Sequence, residues 1–327
     1  MYRALTLFLV SFLTSFLFLP PVMRAMRARG IVGRDVHKKD RPIIPEMGGL
    51  AILLALAVST SIGLVLISNS AKVLISFFST ILIAGIVGAI DDVKPLNARM
   101  KPFLTTFACL PILLLRTYTP SILFPFIGGT RLTRVYPLLI PIVMAVTSNA
   151  VNMMDPFNGV MAGTSSIITV TLLASAIIFR NSHGIILSCM LLGALLAFFY
   201  YNRYPSRVFS GDVGSLSVGA ALGAISIIGS LEVVAVIAFM PQIMNAFYGL
   251  STIGRLYERR EVNRPTTVLE DGRLMASSDP KAPLTLARFV LARGPLYEYE
   301  ASIIFITLSA ISGLLALITA YLIVVIV

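Results

Sequence analysis

The sequence predicts an all-α polytopic membrane protein of about ten transmembrane helices, with a small β-hairpin and an interfacial helix in its last inner loop. Three observations predict it. Hydrophobic residues make up 57% of the 327 residues and charged residues 13%, where a soluble globular chain carries about a quarter charged. The apolar residues fall in runs near the roughly 20 residues that a helix needs to cross a bilayer. The charges are confined to the segments between those runs. One helical bundle then absorbs residues 1–327 as a single integral membrane domain, with residues 255–300 as a loop subdomain between the ninth and tenth helices.

The charge-free runs are 5–22, 47–71, 73–90, 102–115, 135–154, 156–179, 181–202, 213–231, 233–254 and 301–327. The first has no basic stretch before it and no small-residue cleavage site after it, so it reads as a retained helix. The fourth is short, and its helix can begin nearer Met100. The fifth and sixth are parted only by Asp155, and Pro156 disfavours helix at the residue before it. Cys109 and Cys189 lie inside apolar runs and read as packing residues.

Ten spans put both termini on one side of the membrane. The loops after odd-numbered helices hold twenty of the 26 Lys and Arg residues. The positive-inside rule makes those loops cytoplasmic and the termini external. Of the 15 acids, only Glu232 falls outside them. The net charge of +11 could suit nucleic acid, but no nucleic-acid motif is present and the loop asymmetry accounts for the charge. In the last inner loop, TTVL (266–269) and RLMA (273–276) flank Glu270, Asp271 and Gly272, which reads as a β-hairpin. Residues 284–291 read as an interfacial helix, with Leu and Val toward lipid and Arg288 toward headgroups.

Three motifs carry the chemistry. Asp91 and Asp92 end the third helix, where an acid opposes the macrodipole of its own helix. The pair suits a divalent cation or a cationic partner; a solvated helix end is the plain alternative. Lys94, Arg99 and Lys101 follow, and cations at an interface can hold phosphate oxygens. Asn149, Asn152, Asp155 and Asn158 recur with period three, which puts the first members on one helix face. Their oxygens are hard donors of the kind Mg²⁺ takes, although helix-end amides also bond neighbouring helices. FSGDVGS (209–215) opens the eighth helix. Asp212 there is either a cap or a ligand, and glycines around it permit close approach by a substrate. Asp212 and an amide of the fifth helix would complete a Mg²⁺ site. His37 and His183 have no neighbours at zinc spacing. No P-loop, GxSxG or dinucleotide fingerprint is present.

The ordered set resembles the polyprenyl-phosphate N-acetylhexosamine-1-phosphate transferase family over nearly the whole chain: ten spans, Asp-Asp after the third, Asn-x-x-Asn after the fifth, Gly-Asp before the eighth and a long last inner loop. It is most similar to the eukaryotic and archaeal N-acetylglucosamine branch. GRDVHK (33–38) through IPE (44–46) resembles that branch's nucleotide-sugar loop, which nominates Arg34, Asp35, Val36 and Glu46. Asn158 stands where the bacterial translocase has Asp, and the last loop lacks the bacterial histidine cluster. Asp155 is a bacterial-style departure. The last-loop Arg/His cluster is reduced to Asn263 and Arg264, with Arg259 and Arg260 nearby.

The resemblance implies transfer of GlcNAc-1-phosphate from UDP-GlcNAc to a polyprenyl (dolichyl) phosphate on the cytoplasmic face, with release of UMP, opening N-glycan assembly. It implies Mg²⁺, or Mn²⁺ in its place, on Asp212 and Asn152. Lys101, with Arg99 and Arg264, would supply positive charge. Asp91 and Asp92 would orient Lys101 and the lipid phosphate, with proton abstraction as the lesser alternative. Asn149 and Asp155 would face substrate, and Glu46 and Asn158 the sugar and uracil. The alternatives are a bacterial-type phospho-N-acetylmuramoyl-pentapeptide transferase and, in another class, a transporter or lipid-sugar flippase. Acids at helix ends and the lack of an inverted repeat oppose the transporter. An archaeal plasma membrane and an endoplasmic reticulum membrane both fit, and a homodimer is compatible with the sequence.

Overall fold

The computed structural model describes residues 2–256 and 261–326. The chain opens with α1 (Tyr2–Ala28), then a first-loop hairpin of β1 (Val32–Arg34) and β2 (Ile43–Pro45). Next come α2 (Gly49–Leu66), α3 (Ala71–Val93), and a broken helix, α4 (Met100–Thr106) with α5 (Leu110–Leu115). A second hairpin, β3 (Ser121–Phe124) and β4 (Gly128–Arg131), leads to α6 (Tyr136–Met153), α7 (Val160–Ile178), α8 (Ser182–Asn202) and α9 (Gly211–Ile228). A bent pair, α10 (Glu232–Ala238) and α11 (Met240–Ile253), precedes the last loop with β5 (Thr266–Val268), β6 (Leu274–Ala276) and α12 (Leu286–Val290). α13 (Glu298–Ile326) closes the chain.

Among the described residues, eight helices are long and apolar enough to cross a membrane, and the bent pair makes a ninth. The fourth run differs from the expectation of a full span. It starts at Met100, is too short to cross as a straight helix, and breaks at a 3₁₀ turn over Phe107–Cys109. Pro111 lies in the first turn beyond that break, and its missing N–H and ring cannot continue the helix before it. The ninth run bends by 63° between α10 and α11. Pro241 has no N–H for the Ile237 carbonyl one turn earlier. Ser312 of α13 donates its hydroxyl to that carbonyl instead, at 3.0 Å.

α9 is the centre of the bundle. Its spanning window is 89% buried, against 22% for α1 and 33% for α13. Small residues allow backbones to approach this closely. A Cβ on Gly88 of α3 would lie 2.3 Å from the Asp212 carbonyl oxygen, and one on Gly219 would lie 2.4 Å from that of Thr147 on α6. A Cβ on Gly49 of α2 would lie 2.1 Å from the Gly214 Cα. Helices α3, α6 and α9, which carry the Asp, Asn and Gly-Asp motifs, therefore meet at backbone contact.

The expected hairpin in the last loop is present, with Thr266 opposite Ala276 and Val268 opposite Leu274. Gly272 turns it at φ +85°, a conformation that glycine adopts without steric cost. The first-loop and second hairpins were not expected. The interfacial helix is shorter than residues 284–291, and Arg288, expected to face headgroups, is part-buried. Its guanidinium folds back to donate to the carbonyls of Ala282 (2.7 Å) and Asp279 (3.1 Å). Loop carbonyls need donors once they are part-buried, and Arg supplies two in one planar fork.

Candidate active site at the helix ends

Two distant motifs are joined by their backbones. The Phe209 N–H donates to the Pro45 carbonyl, the Gly48 N–H to that of Phe209, and the Gly49 N–H to that of Ser210, each at 2.9 Å. This seats the first loop against the start of α9, where the chain turns through Gly211 at φ +67°. The first N–H groups of a helix lack internal partners. Asp92 supplies one, accepting from the N–H of Asp212 (2.7 Å) and of Val213 (3.0 Å). Its charge opposes the dipole of its own helix and favours that of α9. Both acids were expected to orient Lys101: Asp91 is ion-paired with it, and Asp92 caps the start of α9.

Lys101 Nζ lies 2.6 Å from Asp91 Oδ2 and 2.5 Å from Asp212 Oδ2. Asp91 Oδ1 accepts the Leu96 N–H at 2.6 Å, which fixes the turn leading to α4. Asn152 donates its amide to Asp212 Oδ1 (2.6 Å) and to the Ser215 hydroxyl (2.8 Å). Ser210 donates to Asp155 Oδ2 at 2.5 Å. The Asp212 side chain stays 25% exposed, so the cluster is open on one side. Asn149 was expected to face substrate, and its amide nitrogen braces a neighbouring helix. Its amide hydrogens go to Thr105 Oγ1 (2.9 Å) and the Ala145 carbonyl (2.8 Å), bracing the short helix that carries Lys101.

The donor set suits a divalent cation. Asp91 and Asp212 share one ammonium, with the Asp92 carboxylate beside them on the Asp212 N–H, and that excess negative charge would repel a phosphate unless a further cation entered. Asp212, Asn152, Ser215 and nearby Asp155 offer hard oxygens for one.

A second cluster lies between the first loop and α13. Asp35 is buried and accepts the Lys38 ammonium, the Asn158 amide (3.0 Å) and the His37 N–H (3.3 Å). Glu298, also buried, accepts the Asn158 N–H at 2.9 Å, with Lys38 Nζ 3.5 Å from its other oxygen. Ser302 donates to the Asn158 carbonyl at 3.0 Å. The His37 ring meets Phe157 edge-on at 5.0 Å. Ligand atoms of Asp35, His37 and Glu298 lie within 4.8 Å of one another, a metal-like grouping that spacing rules cannot see. The Lys38 ammonium already serves both acids, so the chain supplies the cation there.

The remaining nominated residues ring these clusters. Glu46 is half-buried after β2, and a Cβ on Gly33 would lie 2.2 Å from its Oε1. Arg34, Arg99 and Arg264 are exposed and Val36 is half-buried. Asn263 donates to Asp279 Oδ2 at 2.5 Å. The Lys281 N–H and the Asn263 amide hold the Asp279 carboxyl below the usual carboxylate range. Arg259 and Arg260 lie outside the described residues. Lys39 Nζ reaches the Glu270 carbonyl at 3.2 Å, joining the first and last loops. Sequence reasoning missed Ser210 and Ser215, although both stand inside FSGDVGS. It also missed Glu298 and Asn245, for which no local signal exists. Asn245 donates to the Met153 carbonyl (2.8 Å) and accepts the Leu286 N–H (2.9 Å), tying α6 to α12.

Similarity to other proteins runs over most of the chain. The glycosyl transferase family 4 profile matches residues 74–230, which include Asp91, Asp92, Lys101, the Asn series and Asp212. A protein of Saccharolobus solfataricus carrying the name UDP-N-acetylglucosamine–dolichyl-phosphate N-acetylglucosaminephosphotransferase is 29% identical over 95% of this chain and 94% of its own length. One of the same name from Sulfolobus acidocaldarius is 27% identical over 72% and 74%. The phospho-N-acetylmuramoyl-pentapeptide-transferase of Acetivibrio thermocellus is 31% identical over 73% and 80%. A bundle with its acids at one set of helix ends, and relatives at this identity and coverage, lead to one conclusion: the chain belongs to glycosyl transferase family 4 and is a membrane-embedded glycosyl-1-phosphate transferase.

Proposed function

We propose that the chain transfers GlcNAc-1-phosphate from UDP-GlcNAc to a polyprenyl (dolichyl) phosphate at the cytoplasmic face, releasing UMP, as the first step of lipid-linked oligosaccharide assembly for N-glycans. The observation that carries the reading is the Lys101 ammonium between Asp91 and Asp212, with Asn152 bonded to Asp212. Phosphoryl transfer needs positioning and charge neutralisation more than covalent chemistry. Asp212 and Asn152 would hold Mg²⁺ or Mn²⁺, which would supply positive charge to the substrate's phosphates.

The chain's own residues do the rest. Lys101 presents its third N–H to a phosphate oxygen while Asp91 holds it. Asp92 fixes the start of α9, and hence Asp212. Asn149 and Thr105 fix the helix under Lys101, and Ser210 aims Asp155. Arg99 and Arg264 are exposed guanidiniums for phosphate oxygens. Arg34, Asp35, Val36, Glu46 and Asn158 form the nucleotide-sugar wall. The acceptor phosphomonoester has a second pKa of about 6 and is largely dianionic near neutrality, so no general base is needed.

A second reading, a muramoyl-pentapeptide donor, is favoured by Asp155 and opposed by Asn158 and by a last loop without histidine. A transporter is set aside because the family is one of transferases. The test uses purified protein in detergent with Mg²⁺, polyprenyl phosphate and UDP-GlcNAc, following UMP and lipid product, with Asp212→Ala alongside. Lipid-linked GlcNAc pyrophosphate that disappears in the variant is the expected result. Product only from the muramoyl-pentapeptide nucleotide would move the chain to the second reading.

A further inference from the structure

Asn158 is gripped at three of its four polar groups. Its side-chain amide nitrogen donates to Asp35, its backbone N–H to Glu298, and its carbonyl accepts from Ser302. The side-chain grip has only one sense. An ionised carboxylate accepts and cannot donate, and Lys38 is ion-paired with Asp35. The amide must therefore turn its nitrogen to Asp35. Its Oδ1 is left as an acceptor with no bond to any described residue, on a side chain that is almost buried.

We propose that Asp35, backed by Lys38 and Glu298, is a specificity-determining positioning residue. It locks the Asn158 amide so that the site presents an oxygen, and thereby selects a nucleobase with a ring N–H over one with a ring acceptor. This rests on the reading of Asn158 as the base contact given above. Uracil offers an N3–H donor to that oxygen. Cytosine offers an N3 lone pair, which an oxygen repels. A freely turning Asn would serve both bases, presenting either its oxygen or its nitrogen. Against the Asp35 carboxylate it cannot turn without setting two acceptors face to face. The selection comes from an element built against the wrong ligand as much as from a contact to the right one.

The test measures binding of UMP and of CMP to the purified full chain in detergent with Mg²⁺, by calorimetry. Wild type, Asp35→Asn and the double variant Asp35→Asn with Asn158→Asp are compared, and the Tm of each reports folding. Asn at 35 either donates or accepts, so it no longer dictates the amide's sense. The UMP-over-CMP preference should fall by about tenfold in the single variant. In the double variant the bond runs the other way, from Asn at 35 to Asp at 158, and the second carboxylate oxygen faces the base. The preference should return. A single variant that keeps the wild-type ratio overturns the proposal. So does one that loses both nucleotides equally and is not rescued by the double variant, because that is a purely structural role. Wild type binding UMP and CMP equally, or neither, removes the base-contact reading itself, before any substitution is considered, and the proposal falls with it.

Discussion

Asp92, in the last turn of α3, accepts the backbone N–H of Asp212, in the first turn of α9, at 2.7 Å. Asp92 thus caps the helix that carries the central carboxylate. Asp92→Ala leaves two N–H groups without a partner and should cost about 1–3 kcal/mol. Turnover should fall with it, because Asp212 loses its seat. Asp91→Asn should lower turnover with a smaller loss of Tm. Thermal unfolding in detergent and UMP release separate the two; an unchanged Tm in Asp92→Ala would exclude the cap.

Lys101 sits between two single carboxylate oxygens. Lys101→Met should lower kcat by about 10²–10³, the loss typical of one removed electrostatic stabiliser. Lys101→Arg should not rescue it, since a planar fork replaces a compact point charge. Steady-state kinetics of UMP release give the answer, and full activity with Arg would mean that only net charge matters.

Chelation of divalent cations should stop product formation, and Mg²⁺ or Mn²⁺ should restore it. Ser215 shares the Asn152 amide with Asp212. Ser215→Ala should therefore raise the cation concentration for half-maximal activity about tenfold, as loss of a ligand-orienting partner does. An unaltered cation titration in this variant would place the ion elsewhere.

Asn149 and Thr105 brace α6 against α4. Asn149→Ala and Thr105→Ala should be non-additive, with a coupling of about 0.5–3 kcal/mol in a double-mutant cycle. Strict additivity would show that the brace does not act as a unit.

Ser312 is the donor for the carbonyl that Pro241 strands at the α10–α11 bend. Ser312→Ala should cost about 1–3 kcal/mol, read as a fall in Tm. The same substitution at Ser61, whose hydroxyl bonds within its own helix on an exposed face, should change Tm little.

The linear order of residues determined that the molecule is a helical membrane protein of a transferase family. Avoidance of charge over bilayer-length runs is a demand of the lipid on each segment separately, so most spans were legible one at a time. The turn at Gly272 was legible because Asp-Gly between extended segments decides its own geometry. The short fourth run and the bend at Pro241 were visible as length and proline, but neither told how the chain would satisfy its freed groups. Partner choice was decided only by the tertiary structure. Asp92 went to α9 and Asp91 to Lys101. Asn149 went to Thr105, and Asp35 and Glu298 to Asn158. Two adjacent carboxylates are equivalent in the sequence. They become different when Gly88 lets α3 touch the Asp212 backbone, leaving one acid beside a helix start and the other beside an ammonium. A hydrogen bond is made over about 3 Å, and at that scale helix packing, rather than motif spacing, assigns each acid its role.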